Sequence, residues 1–353
     1  MIKTETILQR IYKAEDPRAA DIEYLLSRES SDEVGMIFRF ADSVRRAHAG
    51  DGILARGIIE FSNYCANSCA YCGLNRNNKS LKRYRLSHDE IFKSILKMVS
   101  LGIKTVVLQS GEDFSMEALL LKETIEEIKA RFDVALTLSV GERSARDYRL
   151  WRKAGADRYL LKIETTNRRL YESLHAGMSF QQRINCLKAL QDLGYQTGSG
   201  VIVGLKGQTL RMLAEDIVFF KKNNFDMIGI GPFIPHPATK LKNQAQADVS
   251  LTLKTLALTR IVTKNAHLPA TTALGSIGKR DFKIDGLRAG ANVIMLNFTP
   301  PEYSRLYEIY PGKGNHDGLI ASYESYMRGL SEATGRPFDF ARGDSLVQVT
   351  DNR

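Results

Sequence analysis

The chain has 353 residues, of which 43% are hydrophobic and 25% are charged, and its formal net charge at pH 7 is +10. This composition is typical of a folded globular protein and excludes a largely disordered chain. No run of about 18 apolar residues is present that could cross a membrane. The polar opening segment Met1–Arg10 is unlike a signal peptide. We therefore expect a cytoplasmic protein with no membrane partner.

Positive residues are spread along the chain, with one denser patch at Asn75–Arg85. The patch is explained either by a solvated surface or by a surface that binds an anionic substrate or a protein partner. Nucleic acid is not expected as a partner, because the patch lacks the interleaved aromatic side chains on which bases stack.

The first 50 residues read as helical, and eight short β-rich runs then alternate with amphipathic helices. Several of these runs are almost continuously apolar, which is typical of strands buried on both faces. The predicted strands span residues 53–61, 104–109, 134–140, 158–164, 196–204, 227–233, 267–273 and 292–297.

The segments between the predicted strands carry helix boundary signals. Ser87 and Ser179 open capping-box patterns, and Gly102, Gly155 and Gly194 follow the expected helix ends. Eight strand-helix repeats predict an α/β fold of the (β/α)8 TIM-barrel type, because an open doubly wound sheet seldom reaches eight units. We expect an N-terminal helical extension over 1–50, the barrel over 51–312, and a C-terminal tail over 313–353 that forms an appended helix with a loose end.

Three of the four cysteines, Cys65, Cys69 and Cys72, directly follow the first predicted strand. In a parallel barrel the loops after the strands form the active-site face. The other strand ends are polar or rich in glycine, which suits a ligand site at that face. Cys186 lies alone within the predicted helix 180–193 and is expected to be a small buried hydrophobe.

Three thiols within eight residues do not form a disulfide framework and are better explained as metal ligands. A structural zinc site requires a fourth ligand, and the nearest histidines, His48 and His88, are not at a familiar zinc spacing. A 4Fe-4S cluster has four iron corners, of which a protein can hold three and leave one open for chemistry.

The Cys-x3-Cys-x2-Cys motif, with Tyr71 just before its last cysteine, resembles that of the radical S-adenosylmethionine (SAM) superfamily. This resemblance implies that Cys65, Cys69 and Cys72 hold a 4Fe-4S cluster whose open iron binds SAM. It also implies that the reduced cluster cleaves SAM to methionine and a 5'-deoxyadenosyl radical. A reductant such as flavodoxin or ferredoxin is then required.

The same resemblance implies the cofactor-binding residues. Gly111 and Glu112, after strand two, match the motif that receives the methionyl amino group, and segment 200–204 matches the one beside the adenine. The ribose and carboxylate partners would be Ser139, Glu164 and Arg183. Taken singly, a serine at a strand end or an arginine on a helix is more often a cap or a surface residue.

A finer resemblance is to the HydE family of FeFe-hydrogenase maturases, with methylornithine synthase and biotin synthase as more distant relatives. It rests on residues 59–63, 71–74, 82–85, 107–113, 155–161, 229–237 and 269–273. It implies a role in assembling the diiron site of the hydrogenase, on an iron carbonyl cyanide cysteine complex made by the maturase HydG, with delivery toward the maturase HydF. The substrate would lie against Arg56, Gln109, Lys162, Thr271 and Thr272.

Two departures from the HydE pattern bear on this reading. Family members carry Arg-His-Glu at strand four, whereas this chain has Lys162, Ile163 and Glu164. We expect both changes to lie near the substrate, which leaves open a radical amino acid mutase or a HydE-like paralogue with another small substrate. No cysteine follows position 312, so the accessory cluster that some members hold near the C-terminus is not expected.

Overall fold

The computed structural model describes residues 1–278, 280–313 and 318–347. Eight parallel strands form a nearly closed barrel in the order β6-β5-β4-β3-β2-β1-β8-β7, and the bridge between Met227 and His267 joins its two ends. The strands are β1 Ile53–Ser62, β2 Thr105–Ser110, β3 Ala135–Ser139, β4 Arg158–Leu160, β5 Gln196–Val203, β6 Met227–Pro232, β7 Pro269–Ala270 and β8 Val293–Asn297. The predicted barrel is confirmed.

Strands β4 and β7 are much shorter than the sequence predicted. Regular pairing of β4 with β5 ends at Leu160 and returns only at the bridge between Glu164 and Val201. Glu164 there has a φ of 63°, in the left-handed region that residues other than glycine seldom adopt. The strand therefore breaks where its residues enter the barrel mouth.

The helices cover the outside of the barrel. They are α1 Ile2–Lys13, α2 Ala19–Leu26, α3 Ser31–Ala49, α4 His88–Ser100, α5 Ala118–Arg131, α6 Ala145–Ala154, α7 Arg168–Leu174, α8 Phe180–Asp192, α9 Leu210–Lys222, α10 Val249–Thr263, α11 Lys283–Arg288, α12 Pro301–Ser304 and α13 Ile320–Thr334. In the part of the chain that the structure describes, no helix is both long and apolar enough to cross a membrane.

The N-terminal extension forms α1 to α3 and adds a second layer on one side of the barrel. α2 packs against α9, and α3 packs against α10. Every residue from Thr252 to Thr263 of α10 is buried as a result. A helix enclosed on both sides cannot show a clear amphipathic pattern, and the threonines of α10 satisfy their hydroxyls on carbonyls one turn earlier.

The predicted helix boundaries agree with the structure at most points. Ser87 and Glu90 form a complete capping box at α4, whereas Ser179 only accepts a hydrogen bond from the Gln182 amide at α8. Gly155 ends α6 with a φ of 111°, a conformation that favours glycine.

Residues 335–347, the described part of the chain after α13, are not the loose end that the sequence suggested, and the rest of that predicted end lies outside the described residues. Residues 338–339 form a short strand, β9, which pairs with Ile53 and Leu54 of β1. The Asp344 carboxylate then lies 2.9 Å from the Arg158 guanidinium, and the Asp344 carbonyl is 2.9 Å from His267 Nε2. The segment is held there because Arg158 and His267, at the lower end of the barrel, are buried donors that require acceptors, and Asp344 supplies them.

Arg336 anchors this segment and provides a test of its contribution to stability. Its guanidinium is buried and donates to four backbone carbonyls, those of Asp51, Gly52, Leu287 and Ala291. We expect Arg336→Ala to lower the free energy of unfolding by about 2–4 kcal/mol, because it leaves buried carbonyls without donors. Urea unfolding measures the loss. Arg328→Ala, on the exposed face of α13, is the control and should change stability by less than about 0.5 kcal/mol; an equal effect of both variants would contradict this role.

Candidate active site

A cavity of about 380 Å³ opens at the carboxyl ends of the strands and extends down into the barrel. This volume is within the usual range for small-molecule sites. All of the predicted site residues except Gly111 line it, namely Arg56, Cys65, Cys69, Tyr71, Cys72, Gln109, Glu112, Ser139, Lys162, Glu164, Arg183, Thr271 and Thr272. The fold therefore brings together side chains that lie on or directly after five of the eight strands, β1, β2, β3, β4 and β7, together with Arg183 of α8.

The loop that carries the three cysteines, residues 63–86, has almost no regular secondary structure. Its backbone is held by neighbouring segments: the Ala66 amide donates to the Glu112 carbonyl, at 2.9 Å, and the Ala70 amide donates to the carbonyl of Leu174, the last residue of α7, at 2.8 Å. Within the loop, the Asn75 side chain donates to the Cys72 carbonyl, at 2.8 Å. These bonds fix the loop against the mouth of the barrel.

The three cysteines are free and partly exposed to the cavity, while Cys186 is buried in the core as expected. Burial raises the pKa of the Cys65 thiol, that of Cys69 to about 12, and that of Cys72 well above its ordinary value. Thiols in such surroundings become thiolates when a metal replaces the proton. The donor set thus fits a bound metal group.

The geometry differs from that of a single-ion site. Among the described residues no three His, Cys, Asp or Glu side chains are grouped closely enough to hold one metal ion. A cubane cluster does not need that convergence, because each thiolate binds a different iron. The two histidines considered as zinc ligands have other contacts: His48 bonds to Tyr12, and His88 contacts Glu127.

Tyr71 is held by a histidine that the sequence did not single out. The Tyr71 hydroxyl is 2.9 Å from His175 Nε2, and His175 Nδ1 is 2.8 Å from the Tyr171 carbonyl. A carbonyl can only accept, so Nδ1 carries the proton and Nε2 accepts from Tyr71. Burial lowers the pKa of His175 to about 3, so the ring is neutral.

A second group of charged side chains in the site, Glu112, Glu142 and Arg183, is connected by hydrogen bonds. Glu112 accepts from the Glu142 amide, at 2.7 Å, and Arg183 Nε donates to the Glu142 carboxylate, at 2.6 Å. Arg183 also donates to the Lys162 carbonyl. A buried guanidinium that already has one carboxylate keeps further donors, and it can bind a second carboxylate from a ligand.

Gly111 does not line the cavity, unlike its neighbour Glu112. A Cβ atom at this position would lie 2.2 Å from the Tyr64 carbonyl oxygen, so the residue packs behind the cysteine loop. Its amide donates to the Ser62 carbonyl, at 3.1 Å. A role for Gly111 in cofactor binding stays a prediction, and its close packing against the loop explains why a glycine is needed there.

Lys162 and Ile163, the two residues that depart from the family pattern at strand four, point in opposite directions. Lys162 enters the cavity, with its Nζ 3.0 Å from the Glu164 carboxylate, and Gly200 and Gly229 leave room for its chain. Ile163 points the other way and is fully buried in the hydrophobic core. The expectation that Ile163 lies near the substrate is therefore wrong, because successive residues of an extended segment face opposite sides.

The lower part of the cavity contains Arg56, which is nearly fully buried. Its Nη1 is 2.8 Å from the Met227 sulfur, its Nη2 donates to the Gly343 carbonyl, and its Nε has no hydrogen-bond partner. No described carboxylate forms an ion pair with it. A buried cation without a paired anion is costly, so this position suits an anionic ligand.

The remaining predicted substrate residues make local hydrogen bonds. Gln109 donates to the Tyr307 hydroxyl, at 3.2 Å, Thr271 to the Ile230 carbonyl, at 3.2 Å, and Thr272 is 2.7 Å from the Tyr310 hydroxyl. All three still line the cavity. Each hydroxyl or amide keeps a further donor or acceptor for a ligand.

Sequence reasoning missed several residues of the cavity wall. Lys313 lines the cavity and forms an ion pair with Glu60, although position 313 was assigned to the tail. Met227 and Tyr310 also line it. Apolar strand residues and a lysine after the last strand carry no motif, so only the fold could identify them.

Comparison with known proteins agrees with this geometry. The Radical SAM superfamily profile matches residues 59–220. The "[FeFe] hydrogenase maturase subunit HydE" of Thermotoga maritima is 50% identical over 279 residues, covering 78% of this chain and 79% of that protein. The chain belongs to the HydE family of radical SAM enzymes. It is thus an enzyme of a family that uses a 4Fe-4S cluster and SAM.

More distant relatives share the architecture of this HydE family member. The 3-methylornithine synthase of Methanosarcina acetivorans is 29% identical over 78% of this chain and 77% of that protein. The crystal structure of methylornithine synthase (PylB) has a TM-score of 0.81 at 25% identity, covering 94% of this chain and 97% of that one. The structure of HydG, at 17% identity, has a TM-score of 0.82 over 96% and 76% of the two chains, which shows the fold alone.

Single replacements of the loop cysteines test the assignment of the cluster ligands. After anaerobic reconstitution we expect Cys65→Ala, Cys69→Ala and Cys72→Ala to lose most of their iron and sulfide, since each thiolate holds one iron. Iron and sulfide analysis measures the loss. Cys186→Ala is the matched control and should keep the wild-type content. A loop variant with full iron content would remove that cysteine from the ligand set.

The loop after β4 is held by the buried carboxyl group of Asp216, whose pKa is strongly raised. Asp216 of α9 is fully buried and accepts from both the amide and the hydroxyl of Thr166, at 2.6 Å each, while its Oδ2 has no hydrogen-bond partner. Burial raises the pKa of Asp216 from 3.8 to about 7, despite the bonds from Thr166.

This pKa predicts the sign of a stability change. The folded state keeps a proton that the unfolded state has lost, so the free energy of unfolding falls as the pH rises from about 4 to about 7. Asp216→Asn should remove that fall, which is on the order of a few kcal/mol. Urea unfolding at pH 5 and pH 8 measures it. Glu123→Gln, on the exposed face of α5, is the control; an unchanged pH dependence in Asp216→Asn would refute the assignment.

Proposed function

We propose that this enzyme acts as a HydE-type maturase in the assembly of the FeFe-hydrogenase diiron site. The observation that carries the proposal is the cavity, which has three thiols at its mouth and an unpaired buried guanidinium, Arg56, at its lower end. The 50% identity to HydE of T. maritima supports the same role.

At the mouth, the chain's own residues would bind and orient SAM. Cys65, Cys69 and Cys72 would hold the cluster, which when bound supplies the electron that converts SAM to methionine and a 5'-deoxyadenosyl radical. Arg183 would bind the methionyl carboxylate through the donors that Glu142 leaves free, and Glu112 would accept from the amino group. Barrel walls that exclude water keep a reactive species from side reactions.

Tyr71, Ser139 and Glu164 would complete the cofactor site. The neutral His175 fixes the Tyr71 ring beside the last cysteine, which gives an adenine a flat surface. Glu164 is held in a left-handed conformation and points into the cavity. Backbone strain of this kind is common where a side chain must face a ligand.

The lower cavity would hold a small anionic substrate, in line with the iron carbonyl cyanide cysteine complex that the HydE resemblance implies. Arg56 and Lys162 would supply the positive charge, and Gln109, Thr271 and Thr272 would supply hydrogen bonds. Lys162 in place of an arginine presents a point charge instead of a planar fork, so this substrate end is more flexible in the geometry it accepts.

The proposed partners are a low-potential reductant such as flavodoxin or ferredoxin, and the maturases HydG and HydF before and after this step. The cytoplasm is the expected compartment. The solved structure of HydG shares the fold of this chain and indicates no particular contact between the two proteins.

Anaerobic reconstitution tests the radical chemistry directly. A preparation that binds about four iron and four sulfide per chain should convert SAM to 5'-deoxyadenosine when reduced with dithionite. Arg183→Met should raise the Kd for SAM about tenfold or more, because a buried charge-assisted hydrogen bond is lost. A fully loaded enzyme that forms no 5'-deoxyadenosine would refute the proposal.

Complementation separates the maturase from a radical mutase such as methylornithine synthase. The wild-type chain should restore hydrogenase activity to a host that lacks HydE, and Arg56→Met should restore much less. Formation of 5'-deoxyadenosine without complementation would assign the enzyme to another radical reaction.

A further inference from the structure

The outer side of the cysteine loop carries a group of exposed cations that has no part in the cavity. This group, the basic rim, consists of Arg76, Lys79, Lys82, Lys240 and Lys242. All five are exposed, none lines the cavity, and none forms an ion pair with any described residue. They are therefore free to meet a partner in solution.

The first part of the rim lies on the cysteine loop itself. Between Cys65 and Ser87 the chain has five cations and no Asp or Glu. Two of the five are used locally: Arg83 donates to the carbonyls of Asn63, Leu74 and Asn75, and Arg85 pairs with Asp113 at 2.7 Å. The other three project outward.

Hydrogen bonds place these cations beside the cluster ligands. The Arg76 amide donates to the carbonyl of Asn67, which lies between Cys65 and Cys69, at 2.8 Å. The Lys82 carbonyl accepts from the side chain of Asn63, two residues before Cys65, at 2.9 Å. The backbone that carries Arg76 and Lys82 is thus held against the residues that flank the thiols, and a partner bound there lies against the cysteine loop.

The second part of the rim comes from the loop between β6 and α10. The Leu241 amide donates to the carbonyl of Ala70, between Cys69 and Cys72, at 3.2 Å. Lys240 and Lys242 flank Leu241, and no Asp or Glu occurs between positions 227 and 247. Glu308, whose carboxylate is 3.5 Å from His236 Nε2, is an acidic side chain close to this region. The rim therefore keeps a clear excess of positive charge.

We propose that the basic rim binds an acidic one-electron carrier protein and brings its redox centre close to the cluster. The inference rests on the proposed function, which requires a reduced cluster. One electron passes from the carrier, which is oxidised, to the cluster, which is reduced, and no bond forms or breaks. Electron-transfer encounters are small and brief, so charge complementarity is the main source of their orientation and rate.

The position of the rim favours a redox partner over a substrate. The cavity that would hold SAM and substrate is lined by other residues, and the five rim residues are exposed to solvent outside that lining. An acidic carrier can approach the cluster there without blocking the barrel mouth.

Charge reversal tests this surface. The probe is a purified acidic flavodoxin, and its Kd for the reconstituted enzyme is measured by interferometry at low and high salt. We expect Lys79→Glu, Lys82→Glu and Lys240→Glu together to raise the Kd about tenfold or more at low salt, with a smaller difference at high salt, because exposed charges are screened. The control combines Lys13→Glu, Lys104→Glu and Lys188→Glu, which makes the same change in net charge at exposed sites outside the rim.

A second measurement follows reduction of the cluster by stopped-flow absorbance. The rim variant should be reduced more slowly than wild type by reduced flavodoxin, but at the wild-type rate by dithionite. It should also form normal amounts of 5'-deoxyadenosine with dithionite, which separates failure of the rim from failure of the proposed function. Equal Kd values for the rim and control variants would overturn the proposal, as would rim-dependent binding of HydF with none for flavodoxin.

Discussion

The hydrogen bonds that hold the cysteine loop are the constraint on which the site depends. The loop has little regular structure, so its shape comes from bonds to its neighbours: Ala66 to the carbonyl of Glu112, Ala70 to that of Leu174, and Leu241 to that of Ala70. These bonds join the ends of β1, β2, β4 and β6 around three thiols. Because backbone donors and acceptors must be satisfied when they are buried, the loop has few alternative arrangements.

Charge is distributed unevenly around this loop. Inside the barrel, Arg183 is paired with Glu142 and Lys162 with Glu164, whereas Arg56 has no carboxylate. Burying cations in this way costs free energy unless an anion joins them. The unpaired cation at the lower end and the thiols at the mouth thus divide one cavity into two chemically different parts.

Several features were open to prediction because they depend on local patterns. Eight apolar runs with glycine and serine at their boundaries indicated the barrel, and the spacing of Cys65, Cys69 and Cys72 indicated the superfamily. The direction of individual side chains was less accessible. Lys162 faces the cavity and Ile163 the core, although both were expected near the substrate. The comparison with the family pattern placed both positions together, whereas the alternation of an extended segment turns one side chain to the cavity and the next to the core.

The sequence by itself determined the type of cofactor chemistry, since three closely spaced thiols after a first barrel strand leave one iron of a cluster open. It also determined the strand order, because each strand-helix unit closes in the same right-handed sense. Only the tertiary structure decided that Lys313 reaches the cavity, that His175 holds Tyr71, and that residues 338–344 pack against the lower end of the barrel. These contacts join segments far apart in the chain, and they depend on packing geometry that no local pattern encodes.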